Sequence, residues 1–268
     1  MNKYFFLLIL AISTTSNAQI IEDFNRVFGK MAGDGNVPLE DWEGALQSDR
    51  FGPTGIFPGF DGQCGFFDAH QGEPDAYVAM NYRNARLQEI DVTSTWLISP
   101  VVNLTDRTTI SFYTRTLDLS MFPDRLVVRL STSGDSLFVG DQATDVGDFE
   151  TVLFDINPTH QLGGYPEEWT KFETEINGFG DVTGRVAFHY FNESMNINGN
   201  YIGIDTFHYI PFLLGDINCD GTVNLLDIQL FVDTITSGVF NEKADLNSDG
   251  VVNLFDIDPF VDAIVQAG

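Results

Sequence analysis

Ten oxygen-bearing side chains near the C-terminal end recur at one spacing. The first five are Asp216, Asn218, Asp220, Asn224 and Asp227; the second five are Asp245, Asn247, Asp249, Asn253 and Asp256, offset by 29 residues (245 minus 216). Counted from each leading Asp they fill places 1, 3, 5, 9 and 12, and Gly221 and Gly250 fill place 6. A calcium ion takes about six to eight oxygens at about 2.3–2.6 Å, and a glycine at the sixth place allows the sharp turn that lets them converge. The pattern therefore predicts two calcium ions, one per copy. Place 12 is Asp where the commoner loop of this kind carries Glu, one methylene longer, so each loop must close more tightly.

Such loops need elements to hold them. Leu226, Ile228, Phe231, Val232 and Ile235 follow the first copy at helical spacing, and Phe255, Ile257, Phe260, Val261 and Ile264 follow the second. Each set predicts the apolar face of a short helix leaving its loop. Pro259 falls in the first turn of the second helix, where its missing N–H costs little. Residues 212–268 hold ten Asp and Glu against the single Lys243, a net of −9 (1 minus 10). Two calcium ions would relieve much of that self-repulsion.

Upstream the texture is β. Period-two alternation runs through Thr108-Thr-Ile110-Ser-Phe112-Tyr-Thr114, Arg125-Leu-Val-Val-Arg-Leu-Ser131, Val186-Ala-Phe188-His-Tyr190 and Tyr201-Ile-Gly-Ile204. Nine or ten strands within about 190 residues predict a mainly β fold, a two-sheet sandwich or jelly roll, followed by a small α-helical unit. The Gly- and Asp-rich segments 27–75 and 132–168 read as loops, where binding usually sits. Residues 19–211 are expected to form the sandwich and 212–268 the calcium-binding unit. The join, Ile210-Pro-Phe-Leu-Leu-Gly215, is too short and apolar for a free linker, so the two should pack together.

The 268-residue chain opens with Lys3, the apolar run Tyr4–Ile12 and the small residues Ser16-Asn17-Ala18. That order is a secretory signal, with cleavage expected after Ala18, and residues 1–18 are assigned to it. No segment approaches the roughly 18–20 apolar residues of a membrane span. A secreted or cell-surface protein is expected. The formal charge is −26, and loss of Lys3 would make it −27 (−26 minus 1), which disfavours nucleic acid and anionic lipid as partners. The two cysteines, Cys64 and Cys219, are too sparse for a disulfide framework, and nothing in the sequence fixes whether they bridge.

The tail, residues 215–268, resembles a type I dockerin, a module of two calcium loop-and-helix repeats that docks into cohesin domains. The motif carrying the resemblance is Gly215-Asp216-x-Asn-x-Asp-Gly-x-Val-Asn-x-x-Asp227 and its repeat. It implies ligands at Asp216, Asn218, Asp220, Asn224, Asp227 and the Thr222 carbonyl. In the second loop it implies Asp245, Asn247, Asp249, Asn253, Asp256 and the Val251 carbonyl. The family's cohesin-facing places often hold a hydroxyl pair and basic residues; here they hold Leu225-Leu226 and Val232-Asp233, then Leu254-Phe255 and Val261-Asp262. A cohesin-like or other surface receptor is implied, while these apolar pairs also suit packing onto the sandwich, which is the expectation adopted.

Residues of about 22–210 resemble the cleaved-adhesin or choice-of-anchor J jelly roll. The resemblance rests on Asp41-Trp42, Trp96–Leu104, Thr109–Phe112, Leu126–Ser131, Trp169–Phe172, Val186–Tyr190 and Tyr201–Asp205, in that order. It implies adhesion or binding of a protein or glycan ligand rather than catalysis. The alternatives are a glycan-binding component of a polysaccharide-degrading assembly, recruited through cohesin, and a glycoside hydrolase using a carboxylate pair.

Other candidates are weaker. Gly134-Asp-Ser-Leu137 spells one esterase nucleophile block, but no Asp-x-x-His accompanies it, so a turn is expected. His70, His160, His189 and His208 are scattered, without zinc spacing. Trp42, Trp96 and Trp169 are able to stack on sugars, but core packing is the expectation for them; Trp42, in the loop-rich part, is the better candidate for exposure. Glu22, Asp23 and Asp205 fall on the expected first and last strands, which neighbour each other in many jelly rolls. They are candidate ligands of an additional structural calcium, a third ion in the sandwich.

Overall fold

The computed structural model describes residues 19–22, 24, 41–62, 65–85, 91–180, 182–194 and 197–267. The signal stretch, Asp23 and Cys64 lie outside the described residues. The strands are β1 (Ile20–Glu22), β2 (Glu43–Leu46), β3 (Phe57–Pro58), β4 (Val78–Asn81), β5 (Thr93–Ile98), β6 (Val102–Leu104), β7 (Thr108–Thr116), β8 (Leu126–Ser131), β9 (Thr151–Ile156), β10 (Thr170–Ile176), β11 (Val182–Asn192) and β12 (Tyr201–Ile210). Two helices follow, α1 (Ile228–Ser237) and α2 (Ile257–Ala267). The twelve described strands exceed the nine or ten expected because β1, β3 and β6 are only two or three residues long, too short to show alternation.

The strands form two antiparallel sheets. One runs β10-β7-β12-β4-β3, with β1 also on β12; the other runs β2-β5-β11-β8-β9, with β6 also on β11. First and last strands are neighbours as expected, Glu22 lying opposite Phe207. β12 pairs with β4 through Tyr201–Ile204 and with β1 through Phe207–Tyr209. Between them its register with β7 shifts at a bulge after Asp205, where Thr206 has φ of 50°. The buried Asp205 carboxylate fixes that strained turn by accepting from the N–H groups of Thr206, His70 and Gln71 at 2.6, 2.8 and 3.1 Å.

In β7 the residues Thr108, Ile110, Phe112, Thr114 and Thr116 point inward, as period-two alternation requires. Between the sheets lies an aromatic core in which Phe112 meets Phe188 edge-on at 5.1 Å. Trp42 sits in this core, only 4% exposed, stacked on Phe188 and edge-on to Phe207. Core packing, not the exposure its loop-rich sequence context left open, is what the structure shows: the aromatic surface of the indole is worth more inside. Trp96 is buried as expected, on the outer side of the second sheet beneath Val139 and Phe149. Trp169 packs half-buried on the outer cluster of the first. Loops thus cover both outer faces, which is why β5 is buried at every position.

Ser136 stands in the turn after β8 and donates its hydroxyl to Asp148, not to a histidine. No helix of the described residues is long and apolar enough to cross a membrane.

Candidate metal-binding site

The two loops share most of their internal hydrogen bonds. At place 1, Asp216 accepts from the Asp220 and Gly221 N–H groups at 3.0 and 3.2 Å; Asp245 accepts from Asp249 and Gly250 at 3.1 and 2.9 Å. At place 3, Asn218 and Asn247 each accept the N–H two residues on, at 2.9 Å. Asp220 and Asp249 do the same at place 5. Gly221 and Gly250 turn the chain at φ of 83° and 84°, and the residues two before them, Cys219 and Ser248, also adopt positive φ. A side chain at either glycine would be strained in that conformation.

Places 9 and 12 join loop to helix. Asn224 caps a 3-10 turn, Leu225–Asp227, and Asp227 reaches back to the Asn224 N–H at 2.9 Å, a reciprocal capping box. The other Asp227 oxygen accepts from Ile217 and Asn218 at 2.8 and 3.0 Å, drawing the loop shut. Asn253 and Asp256 repeat the arrangement before α2. α1 stops at Gly238, a left-handed cap at φ of 66°.

Positive charge is what the loops lack. Asp216, Asp227 and Asp256 are fully buried and Asp245 nearly so. Burying a carboxylate is costly unless a cation accompanies it. Among the described residues the Lys243 ammonium, 3.3 Å from Asp216 Oδ2, is the one cation within ion-pair reach of these four. No three His, Cys, Asp or Glu side chains converge as a metal site among the described residues. A calcium set here must therefore include the Asn218, Asn224, Asn247 and Asn253 oxygens and the Thr222 and Val251 carbonyls. The hard, all-oxygen donor set fits calcium. The Thr222 hydroxyl, followed by the Asn218 amide, holds the exposed Asp220 carboxyl below the usual carboxylate range.

The two helices share one small hydrophobic core. Phe231 and Phe260 stack at 4.2 Å, and Ile217, Val223, Ile235, Leu246, Val252 and Ile264 surround them. Only two of the five residues of each predicted apolar face are inside, Phe231 with Ile235 and Phe260 with Ile264. Leu226, Ile228 and Val232 stand 70%, 40% and 45% exposed, and Phe255, Ile257 and Val261 are 78%, 38% and 50% exposed. The core is a single layer one residue deep per helix, so positions flanking Phe231 and Phe260 find no wall. Leu225 and Leu254 are 71% and 70% exposed, which corrects the expectation that the loop-end pairs pack on the sandwich. The contact with the sandwich lies elsewhere: Arg107 stacks 3.7 Å over Phe212 and pairs with Glu242.

Of the additional site, Glu22 and Asp205 lie on adjacent strands, but the Asp205 oxygens are held by three backbone N–H groups and Glu22 accepts from the Phe24 N–H. Cys219 is an exposed free thiol, 3.3 Å from the Lys243 ammonium. His189, buried and stacked on Trp96 at 3.6 Å, has its pKa well below 6.5, because burial disfavours the imidazolium.

Residues 214–259 match the model of the family described as Dockerin type I domain. No curated protein matches the chain. Among solved structures the chain is similar to a cleaved adhesin domain of Lys-gingipain from Porphyromonas gingivalis, at 16% identity over 72% of this chain and 97% of that one, with a TM-score of 0.47. A second cleaved adhesin domain of Lys-gingipain gives 21% identity, coverage of 73% and 99%, and a TM-score of 0.46. A family 11 carbohydrate-binding module from Clostridium thermocellum gives 11%, coverage of 67% and 94%, and 0.36.

Proposed function

We propose that this is an exported, non-catalytic binding protein: a β-sandwich of residues 19–211 that engages a ligand, carried by a calcium-folded docking unit of residues 212–268. The ten loop side chains, with the Thr222 and Val251 carbonyls, hold two calcium ions. The ions supply the positive charge that Asp227, Asp245 and Asp256 otherwise lack, so binding and folding are linked. The observation that carries the docking reading is the repeated exposure of Leu225-Leu226 and Leu254-Phe255, apolar pairs at equivalent places of both repeats. Isolated exposed apolar residues are ordinary, but a doubled set beside matching helix faces marks an interaction surface. The partner is a protein receptor of cohesin type with an apolar face.

Capture of the full chain on immobilised cohesin domains, in calcium and in chelator, tests this. Capture should require calcium and should fall at least about tenfold in Leu226→Ser/Phe255→Ser, the loss of roughly 1.4 kcal/mol or more of apolar contact. Both side chains are exposed, so stability should stay within about 0.5 kcal/mol. Capture that ignores both chelator and the substitutions would refute the docking role.

A further inference from the structure

The sandwich has an aromatic hollow of about 270 Å³ where β3, β4 and β12 meet. Phe57, Phe60, Phe66 and Tyr201 line its apolar side. Phe60 and Phe66 lie 4.5 Å apart and Phe66 and Tyr201 4.9 Å apart. These rings are held in advance of any ligand. The Tyr77 hydroxyl bonds Tyr201 at 2.8 Å and clasps both the N–H and the carbonyl of Phe60 at 3.1 Å. Phe60 nonetheless remains 39% exposed.

The rim is polar. Asn81 Oδ1 accepts from the Thr54 hydroxyl and the Arg83 N–H, which leaves its amide N–H groups as donors toward the hollow. Asn200 donates its amide to Ser120, which leaves its oxygen as an acceptor. Arg83 completes the rim. Of the basic side chains among the described residues, it alone makes neither ion pair nor hydrogen bond. Arg129 and Arg185 also lack a carboxylate but donate to the Phe149 and Ser99 carbonyls, so Arg83, exposed at this rim, is the guanidinium left for a ligand. A second hollow of about 740 Å³ shares Tyr82, Leu117 and Asn200 with the first, so the depression continues beyond one ring-sized ligand.

An apolar floor, mixed amide donors and acceptors, and a guanidinium fork suit a pyranose bearing a carboxylate. The net charge of −26 opposes a polyanion. Arg83 is the one charged residue lining this hollow, and at physiological salt charges beyond about 8 Å are largely screened, so a single bound carboxylate meets Arg83 first. Resting on the reading of the sandwich as the ligand-binding part, we infer that this pocket grips an otherwise neutral polysaccharide through a single uronic acid residue.

Calorimetry on the full chain in calcium tests this. The probes are a neutral xylo-oligosaccharide, the same oligosaccharide bearing one glucuronic acid, polygalacturonate, and an acidic peptide. The glucuronate-bearing probe should bind roughly tenfold or more tighter than the neutral one, as a charge-assisted bond implies. Arg83→Gln should erase that preference without moving the melting temperature, and Phe60→Ala should weaken both saccharides. The inference is overturned if Arg83→Gln keeps the preference, if polygalacturonate binds more tightly than the single uronate, or if only the peptide binds. Saccharide binding indifferent to Arg83 would leave the sandwich as a glycan-binding part. Binding of no probe would remove that reading as well.

Discussion

Replacing Lys243 with methionine should affect the two calcium loops unequally, acting on the first in opposite senses with and without calcium and leaving the second unchanged. The ammonium lies 3.3 Å from Asp216 Oδ2, its side chain 13% exposed and the carboxylate fully buried. At an effective dielectric of about 20, unit charges at that separation attract by about 5 kcal/mol. Desolvation offsets much of this, and the net loss on removing one partner of such a charged bond is about 2–3 kcal/mol. Counting back 29 residues, the matching place is held by Leu214, so the second loop has no such ammonium (243 minus 29). In chelator Lys243→Met should therefore melt the helical unit earlier. In calcium the sign reverses at the first loop: an ion bound to Asp216 repels the ammonium, so its removal should raise affinity there about tenfold per 1.4 kcal/mol regained. The second loop should be unchanged. Two-site calorimetry with calcium, paired with thermal melts in chelator, reads both effects. Equal affinities at both sites before and after substitution, or a more stable variant in chelator, would refute the reasoning.

Other outcomes follow from single side chains. Phe231→Ala removes half of the stacked pair in the helical core and should cost about 3–5 kcal/mol. Calcium at about 100 times its dissociation constant returns about 2.7 kcal/mol per site, so the variant should be folded in calcium and unfolded in chelator, read by helical circular dichroism. Asp124 is fully buried, and burial raises its carboxyl above 3.8 despite bonds from the Asn200 N–H, the Thr116 hydroxyl and the Tyr190 hydroxyl. The folded chain thus holds a proton that the unfolded chain releases, so this group's stabilisation is full below about pH 3.8 and is lost as pH rises through the raised value. Asp124→Asn keeps the shape, and Thr116 is able to donate to the Tyr201 carbonyl instead, 3.0 Å away. Its stability relative to the parent should therefore rise between pH 4 and pH 7, by denaturant melts; a constant difference would refute the assignment.

Local pattern and long-range convergence divided what the sequence revealed. The paired loops were legible because every oxygen of the repeated pattern lies within twelve residues and recurs in register, and the structure folds both copies alike. Strands such as β7 were legible because alternation over nine residues is visible without knowing a partner. The burial of Trp42 was not, since its companions Phe188 and Phe207 arrive from the far end of the chain. The same holds for the hollow, whose rings span Phe57 to Tyr201. Helical spacing identified the right residues after each loop but could not say that only one apolar row per helix would find a partner. The Asp205 clamp was hidden as well, because it answers a bulge that no local pattern announces.

The most direct measurement is calcium titration of the full chain, following heat and helical circular dichroism together. The expected result is two ions per chain, a gain of helical signal as they bind, and loss of part of that signal, with a lower melting temperature, on adding chelator. Full helical signal in chelator, or no calcium uptake, would contradict a unit that folds on its two ions.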